Sequence, residues 1–233
     1  MKKSLKERQL EVLKTNTVKW NRYMRFCFSI NFLFSVNLSW SNLKGSNLSW
    51  SNLEGSNLKG SNLSWSNLEG SNLSWSNLSW SNLEGSNLEG SNLKGSNLSW
   101  SNLKGSNLEG SNLSWSNLEG SNLKGSNLSW SNLKGSNLSW SNLEGSNLEG
   151  SNLEGSNLEG SNLDMSCLSL SCKSLKFKSD LKIRTQIGFH FASLIANAEQ
   201  ENVTKEEKEI YAKMLDYVNR FHRIDVAKLA KLQ

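Results

Sequence analysis

Proline is absent from all 233 residues, histidine occurs twice and cysteine three times. Each scarcity removes something. Without proline every residue keeps an N–H for a backbone ladder, so a hydrogen-bonded array can run uninterrupted. The two histidines, His190 and His222, lie far along the chain from its serine-rich centre, which leaves those serines without a neighbouring base to make them nucleophiles. Cys27, Cys167 and Cys172 match no zinc spacing such as Cys-x-x-Cys, and cysteines with no evident pairing suit a reducing cytoplasm. Long apolar runs are missing too. The most apolar stretch, residues 26–36, is eleven residues long, short of the twenty or so that cross a bilayer, and no small-residue cleavage site follows it. The expectation is a protein with no catalytic, cofactor or metal site and no targeting segment.

What is present is a period of five. From Ser41 to Leu163 the triplet Ser-Asn-Leu recurs 25 times without an insertion or substitution. Five matches neither the 3.6 of a helix nor the 2 of a strand. The leucines share one face only if the chain coils, and fixed self-similarity marks stacked units that bury their apolar faces on one another. The units Ser-Asn-Leu-Ser-Trp, Ser-Asn-Leu-Lys-Gly and Ser-Asn-Leu-Glu-Gly resemble the A(D/N)LXX motif of pentapeptide-repeat proteins.

That resemblance implies a β-solenoid in which four repeats make one square coil of a right-handed β-helix. It puts the leucine and the small residue two before it inside, as at Leu43 and Ser41, and the other three positions outside, as at Asn42, Lys44 and Gly45. The register extends to Phe28 and Leu33 upstream and Leu168 downstream. Lys173 would then be a buried charge, so coiling should stop near residue 172. The 29 repeats centred from Phe28 to Leu168 make a little over seven coils, roughly 35 Å at the usual strand spacing.

The fifth position of the repeat is Gly or Trp. Because tryptophan resists φ > 0, the mixture predicts that this corner does not need glycine's backbone. By the family pattern it points outward, exposing Trp40, Trp50, Trp65, Trp75, Trp80, Trp100, Trp115, Trp130 and Trp140. Exposed tryptophans mark partner surfaces. In columns of twenty, positions 40 to 160 read Trp, Gly, Trp, Trp, Gly, Trp, Gly, which makes Trp40, Trp80, Trp100 and Trp140 the candidate aromatic face. The alternative is decoration inherited by tandem copying of the array or introduced by design, since the repeats are more uniform than the fold demands.

Charge is unevenly spread. The net +5 and pI near 9.1 suggest nucleic-acid binding at first, yet residues 38–163 carry six lysines and ten glutamates, and the basic excess lies in the two ends. Nucleic acid is therefore not an expected partner. Glu69, Glu89, Glu109 and Glu149 fall in one column and form an acidic edge, while Lys and Glu in the remaining columns read as disordered. Some proteins of the resembled family imitate duplex DNA and inhibit type II topoisomerases, and this edge is the feature that would serve.

The ends differ from the array. Residues 1–25 read as a basic amphipathic helix carrying Leu10 and Leu13, and the pair Trp20-Asn21 resembles the family's cap on the first coil; lying on anionic lipid is the other use of such a face. Residues 26–172 are the solenoid. Residues 173–233 have helical periodicity, with helices expected near 181–199 and 205–231, the second opened by a Thr204/Glu207 capping box. They form a hairpin against the last coil or a homodimer contact. The functional expectation is a non-enzymatic scaffold binding a protein partner. Its rivals are the DNA-mimicking topoisomerase modulator and a surface binder using exposed tryptophan on lipid, glycan or ice.

Overall fold

The computed structural model describes residues 5–24, 33, 35–168 and 177. The chain divides into two units, Met1–Lys178 and Ser179–Gln233, and every described residue belongs to the first. The expected helices near 181–199 and 205–231, and the residues Cys27, Phe28, Cys172, His190 and His222, lie outside the described residues.

The period of five closes into a coil of twenty. Asn37 bridges Asn57, Asn42 bridges Asn62, and the series continues in parallel to Asn142 and Asn162, ending in the two-residue strands β1 (Asn147–Leu148) and β2 (Cys167–Leu168). Four repeats therefore make one turn, each side contributing a single bridge. Inside, the leucines from Leu38 to Leu158 have no accessible surface, and the serines two residues before them are buried from Ser46 to Ser156, while Ser41, expected inside, is half-buried at the first coil. Leu33 shares that column.

Backbone hydrogen bonding is nearly saturated, as one unit shows. Ser101 donates its N–H to the Leu98 carbonyl (3.1 Å), Asn102 to Ser81 (2.9 Å), Leu103 to Asn122 (2.7 Å) and Gly105 to Lys124 (3.0 Å). The fifth N–H, of Lys104, goes to Asn102 Oδ1 (3.2 Å). Three of those five bonds join neighbouring coils, which supplies the stabilisation that one leucine per repeat cannot, since each ordered residue costs about 1–2 kcal/mol.

Asparagine thus does more than face outward. Its Oδ1 accepts from the turn, and its Nδ2 donates to the asparagine one coil earlier, as from Asn102 to Asn82 (3.2 Å), Asn122 to Asn102 (3.3 Å) and Asn162 to Asn142 (3.3 Å). The inner serines divide into two groups. Ser96 and Ser101 donate Oγ to the leucine carbonyl three residues back, both at 2.6 Å, whereas Ser91, Ser111 and Ser121 are among eleven buried hydroxyls with no partner.

At the fifth position the structure overturns the sequence expectation. All nine tryptophans have φ between 56° and 60°, beside 61° to 71° for the sixteen glycines. The cause is the turn. Ser101 N–H to Leu98 O closes a four-residue turn whose third residue alone, Trp100, has positive φ, the requirement of a type II turn. The corner does require the left-handed region, and tryptophan is forced into it.

At the start of the unit, the expected single helix is two: α1 (Leu5–Thr15) and α2 (Thr17–Met24). Asn16 divides them, because its Oδ1 accepts the Lys19 N–H (2.8 Å) as an N-cap of α2. From α2 the buried Trp20 donates Nε1–H to the Asn47 carbonyl (2.7 Å). Asn21 brackets the same turn, donating Nδ2 to the Gly45 carbonyl (2.7 Å) and accepting from the Asn47 N–H (2.6 Å).

Candidate functional site

The outer surface carries three kinds of side chain, and each kind is set by the repeat. Position two is the asparagine ladder. Position four is Lys, Glu or Ser, and position five is Gly or Trp. The last two are coupled: every Trp follows Ser, and every array Gly follows Lys or Glu. In eight of the tryptophan units the serine turns its Oγ back onto the preceding asparagine Oδ1 at 2.7–2.8 Å, so no long side chain stands beside the indole.

A second coupling runs between coils. Each indole leans along the solenoid toward the corner twenty residues on. A methyl group placed on Gly60 would lie 2.3 Å from the Trp40 ring; the equivalent distances are 2.7 Å for Gly120 under Trp100 and 2.8 Å for Gly160 under Trp140. Eight of the nine tryptophans lie over a glycine in this way. The ninth, Trp80, stacks on Trp100 with ring centroids 5.7 Å apart and planes inclined by 14°.

In the column from 40 to 160, every corner is thus a tryptophan or has an indole over it. Seven levels at the strand spacing make a ridge about 29 Å long. Trp40, Trp80, Trp100 and Trp140 remain 72, 59, 50 and 68% exposed on it. The other columns contain open corners with nothing near the glycine, at Gly45, Gly105, Gly125 and Gly145, at Gly90 and Gly110, and at Gly155. Sequence columns alone do not show this continuity, because they omit the direction in which each indole leans. The signal that could have found it is the strict pairing of fourth with fifth residue, together with glycine twenty positions after tryptophan.

The acidic candidates sit in their own column. Glu89 and Glu109 are exposed and Glu69 is half-buried. Glu89 Oε2 accepts from Asn107 Nδ2 (3.2 Å) and Glu109 Oε2 from Asn127 Nδ2 (3.1 Å), which ties both carboxylates to the ladder. The remaining columns are more ordered than the sequence suggests. Lys124 pairs with Glu144 at 2.9 Å, Lys134 with Glu154 at 3.1 Å and Lys104 with Glu84 at 4.0 Å, all one coil apart. Among the described residues no group of His, Cys, Asp or Glu could hold a metal ion, and Cys167 is exposed and unbonded.

These features define a four-sided right-handed β-helix built from five-residue units. Residues 33–172, which are 140 of the 233, match the family model of pentapeptide repeats in eight copies, and the chain belongs to that family. No curated protein matches its sequence. Among solved structures, it is similar to a trypsin-treated variant of QnrB1, a plasmid-mediated fluoroquinolone resistance protein. That match has 16% identity over 70% of this chain and 89% of the other, with a TM-score of 0.51. HetL, a pentapeptide-repeat protein involved in heterocyst differentiation regulation from the cyanobacterium Nostoc sp. strain PCC 7120, matches with 24% identity over 69% of this chain and 75% of its own, at TM-score 0.39. Rfr23 from the cyanobacterium Cyanothece 51142 matches with 29% identity over 49% and 60%, at TM-score 0.29. The likeness to QnrB1 shows a shared fold and nothing more.

Proposed function

We propose that the chain is a non-enzymatic interaction scaffold that presents the corner from Trp40 to Trp140 to a protein partner. The observation that carries this reading is the aromatic ridge covering every corner from 40 to 160, where the exposed tryptophans of the other three columns are interrupted by open corners. Contiguous apolar surface of several hundred Å2 marks interaction sites, and tryptophan is the residue most enriched in their energetic centres. The serines support a structural role, since their hydroxyls are buried against leucine carbonyls or within the core.

The DNA-mimic reading asks for a sustained negative field. Here Lys104, Lys124 and Lys134 neutralise glutamates on adjacent coils, and screening over about 8–10 Å shortens the reach of what remains. Two measurements test the proposal together. Replacing Trp40, Trp80, Trp100 and Trp140 by glycine should abolish partner binding while leaving the circular dichroism of the solenoid intact. A DNA-supercoiling assay should show no inhibition by micromolar protein; inhibition that survives the tryptophan replacements would put the acidic edge in the ridge's place.

A further inference from the structure

The helix pair at the start of the chain has a face that the solenoid does not use. Trp20 and Asn21 of α2 are turned onto the first coil, where Asn21 Oδ1 accepts the Asn47 N–H (2.6 Å). One coil later the Asn67 N–H goes instead to the Ser46 carbonyl of the coil before it (2.9 Å), so Asn21 holds the place of a preceding coil. α2 therefore stands at the end of the solenoid.

Helical spacing puts Val18, Lys19 and Arg22 on the side of α2 opposite Trp20 and Asn21. All three are exposed, Val18 at 74%, and Lys14 at the end of α1 is exposed as well. Among the described residues no carboxylate pairs with Lys14, Lys19 or Arg22. On the array, by contrast, Lys104, Lys124 and Lys134 each have a glutamate one coil away.

Charge is also graded along the unit. Residues 1–37 hold eight Lys or Arg and two Glu, whereas from Ser136 to Asp164 there are five acidic residues and no basic one. In the field of an anionic surface such a rod turns its capped end inward and its far end away. A leaflet of anionic lipid suits both kinds of side chain on the free face, its headgroups meeting the cations while Val18 enters the acyl boundary. The phosphates of a nucleic acid offer the valine nothing.

We infer that α2 docks the solenoid end-on to an anionic lipid surface through Val18, Lys19 and Arg22, with Lys14 beside the boundary at Asn16. The corner from Trp40 to Trp140 runs along the solenoid and takes no part in this contact. Membrane docking and the proposed binding of a protein partner thus stand or fall separately.

The full chain is cosedimented with vesicles of mixed phosphatidylserine and phosphatidylcholine. Binding is expected at about 0.1 M salt and should be lost at about 1 M, where the Debye length is about 3 Å, and on phosphatidylcholine alone. Replacing Lys14, Lys19 and Arg22 by glutamine should weaken it about a hundredfold, at about fivefold per cation, and Val18→Ser should weaken it further. The exchanges Lys14→Arg, Lys19→Arg and Arg22→Lys should restore it, and glycine at Trp40, Trp80, Trp100 and Trp140 should leave it unchanged. The substituted cap side chains are exposed, so circular dichroism should not change. No binding to the mixed vesicles, or equal binding to phosphatidylcholine alone, would overturn the inference. So would binding that survives the glutamine replacements, which would place it elsewhere in the chain, or binding that depends on the four tryptophans. Duplex DNA retained through Lys14, Lys19 and Arg22 by a chain that ignores the vesicles would give the face to nucleic acid instead.

Discussion

Gly95→Ala and Gly105→Ala make a matched pair that isolates what the tryptophans do to the fold. Both glycines have φ near +65°, at 65° and 63°, so both substitutions force an L-residue into the left-handed region at about 1–2 kcal/mol. At Gly105 the added methyl meets nothing within 4 Å, whereas at Gly95 it lies 2.6 Å from Cε3 and Cζ3 of Trp75. The indole must then leave its seat. Trp75 is 64% exposed, so about 90 Å2 of its surface is covered, worth up to about 2 kcal/mol at 25 cal/mol per Å2. Gly95→Ala should therefore cost about 3–4 kcal/mol and Gly105→Ala about 1–2. Urea unfolding followed by far-ultraviolet circular dichroism measures both, and the two sites are half a coil apart, within one cooperative stretch of the array. The decisive step is a double-mutant cycle: in a Trp75→Gly background the Gly95→Ala penalty should fall to that of Gly105→Ala. Equal penalties in the unmodified chain, or a coupling energy below about 0.5 kcal/mol, would refute the packing of each indole on the next coil's glycine.

Three further outcomes follow from the hydrogen bonds. Ser91→Ala and Ser111→Ala remove buried hydroxyls that have no partner and should each raise stability by about 1 kcal/mol in the same assay, while Ser101→Ala, which loses a 2.6 Å bond to the Leu98 carbonyl, should be neutral or slightly destabilising. Asn102→Ala leaves the Lys104 N–H without its acceptor and cuts the ladder to Asn82 and Asn122; a loss of about 2–3 kcal/mol is expected, visible as faster amide exchange at Lys104. Asn21→Ala removes both bonds to the turn at Gly45 and Asn47 and should cost about 2 kcal/mol, with exchange rising first at the Asn47 amide.

The division into buried and exposed positions was legible from the five-residue period, because a leucine and a serine recurring at fixed spacing have only one way to stack in register. The chemistry between coils was not. Asn102 looks like an outward polar residue until residue 122 is placed beside it, and Lys124 and Glu144 become a pair only when a coil is known to hold twenty residues. The positive φ at Trp100 is not legible from intrinsic preference alone. The bond from Ser101 N–H to Leu98 O fixes the turn, and the turn dictates φ at its third residue whatever stands there. At the start of the chain Asn16 hid a boundary, since as an N-cap it ends one helix and opens the next.

The energetics of that corner bear on why tryptophan stands there. A left-handed tryptophan costs about 1–2 kcal/mol relative to glycine, and the seat of its ring on the next coil returns up to about 2 kcal/mol. The two nearly cancel, so exchanging Trp for Gly leaves the stability of the solenoid almost unchanged provided the corner twenty residues on is Gly and the preceding residue changes between Ser and Lys or Glu. Stability therefore does not choose which corners carry indoles. It follows that the arrangement of tryptophans is free to record something other than folding: the copying history of the array, which would scatter them over all four columns, or a binding face, which would concentrate them on one. Five of the nine are spread over three columns that contain open corners, while four suffice to cover the corner from 40 to 160 without a gap. Copying alone accounts for the five. On the proposal made above, the coverage by Trp40, Trp80, Trp100 and Trp140 is what a binding face would add, and loss of binding on replacing those four but not the other five is the outcome that separates the two.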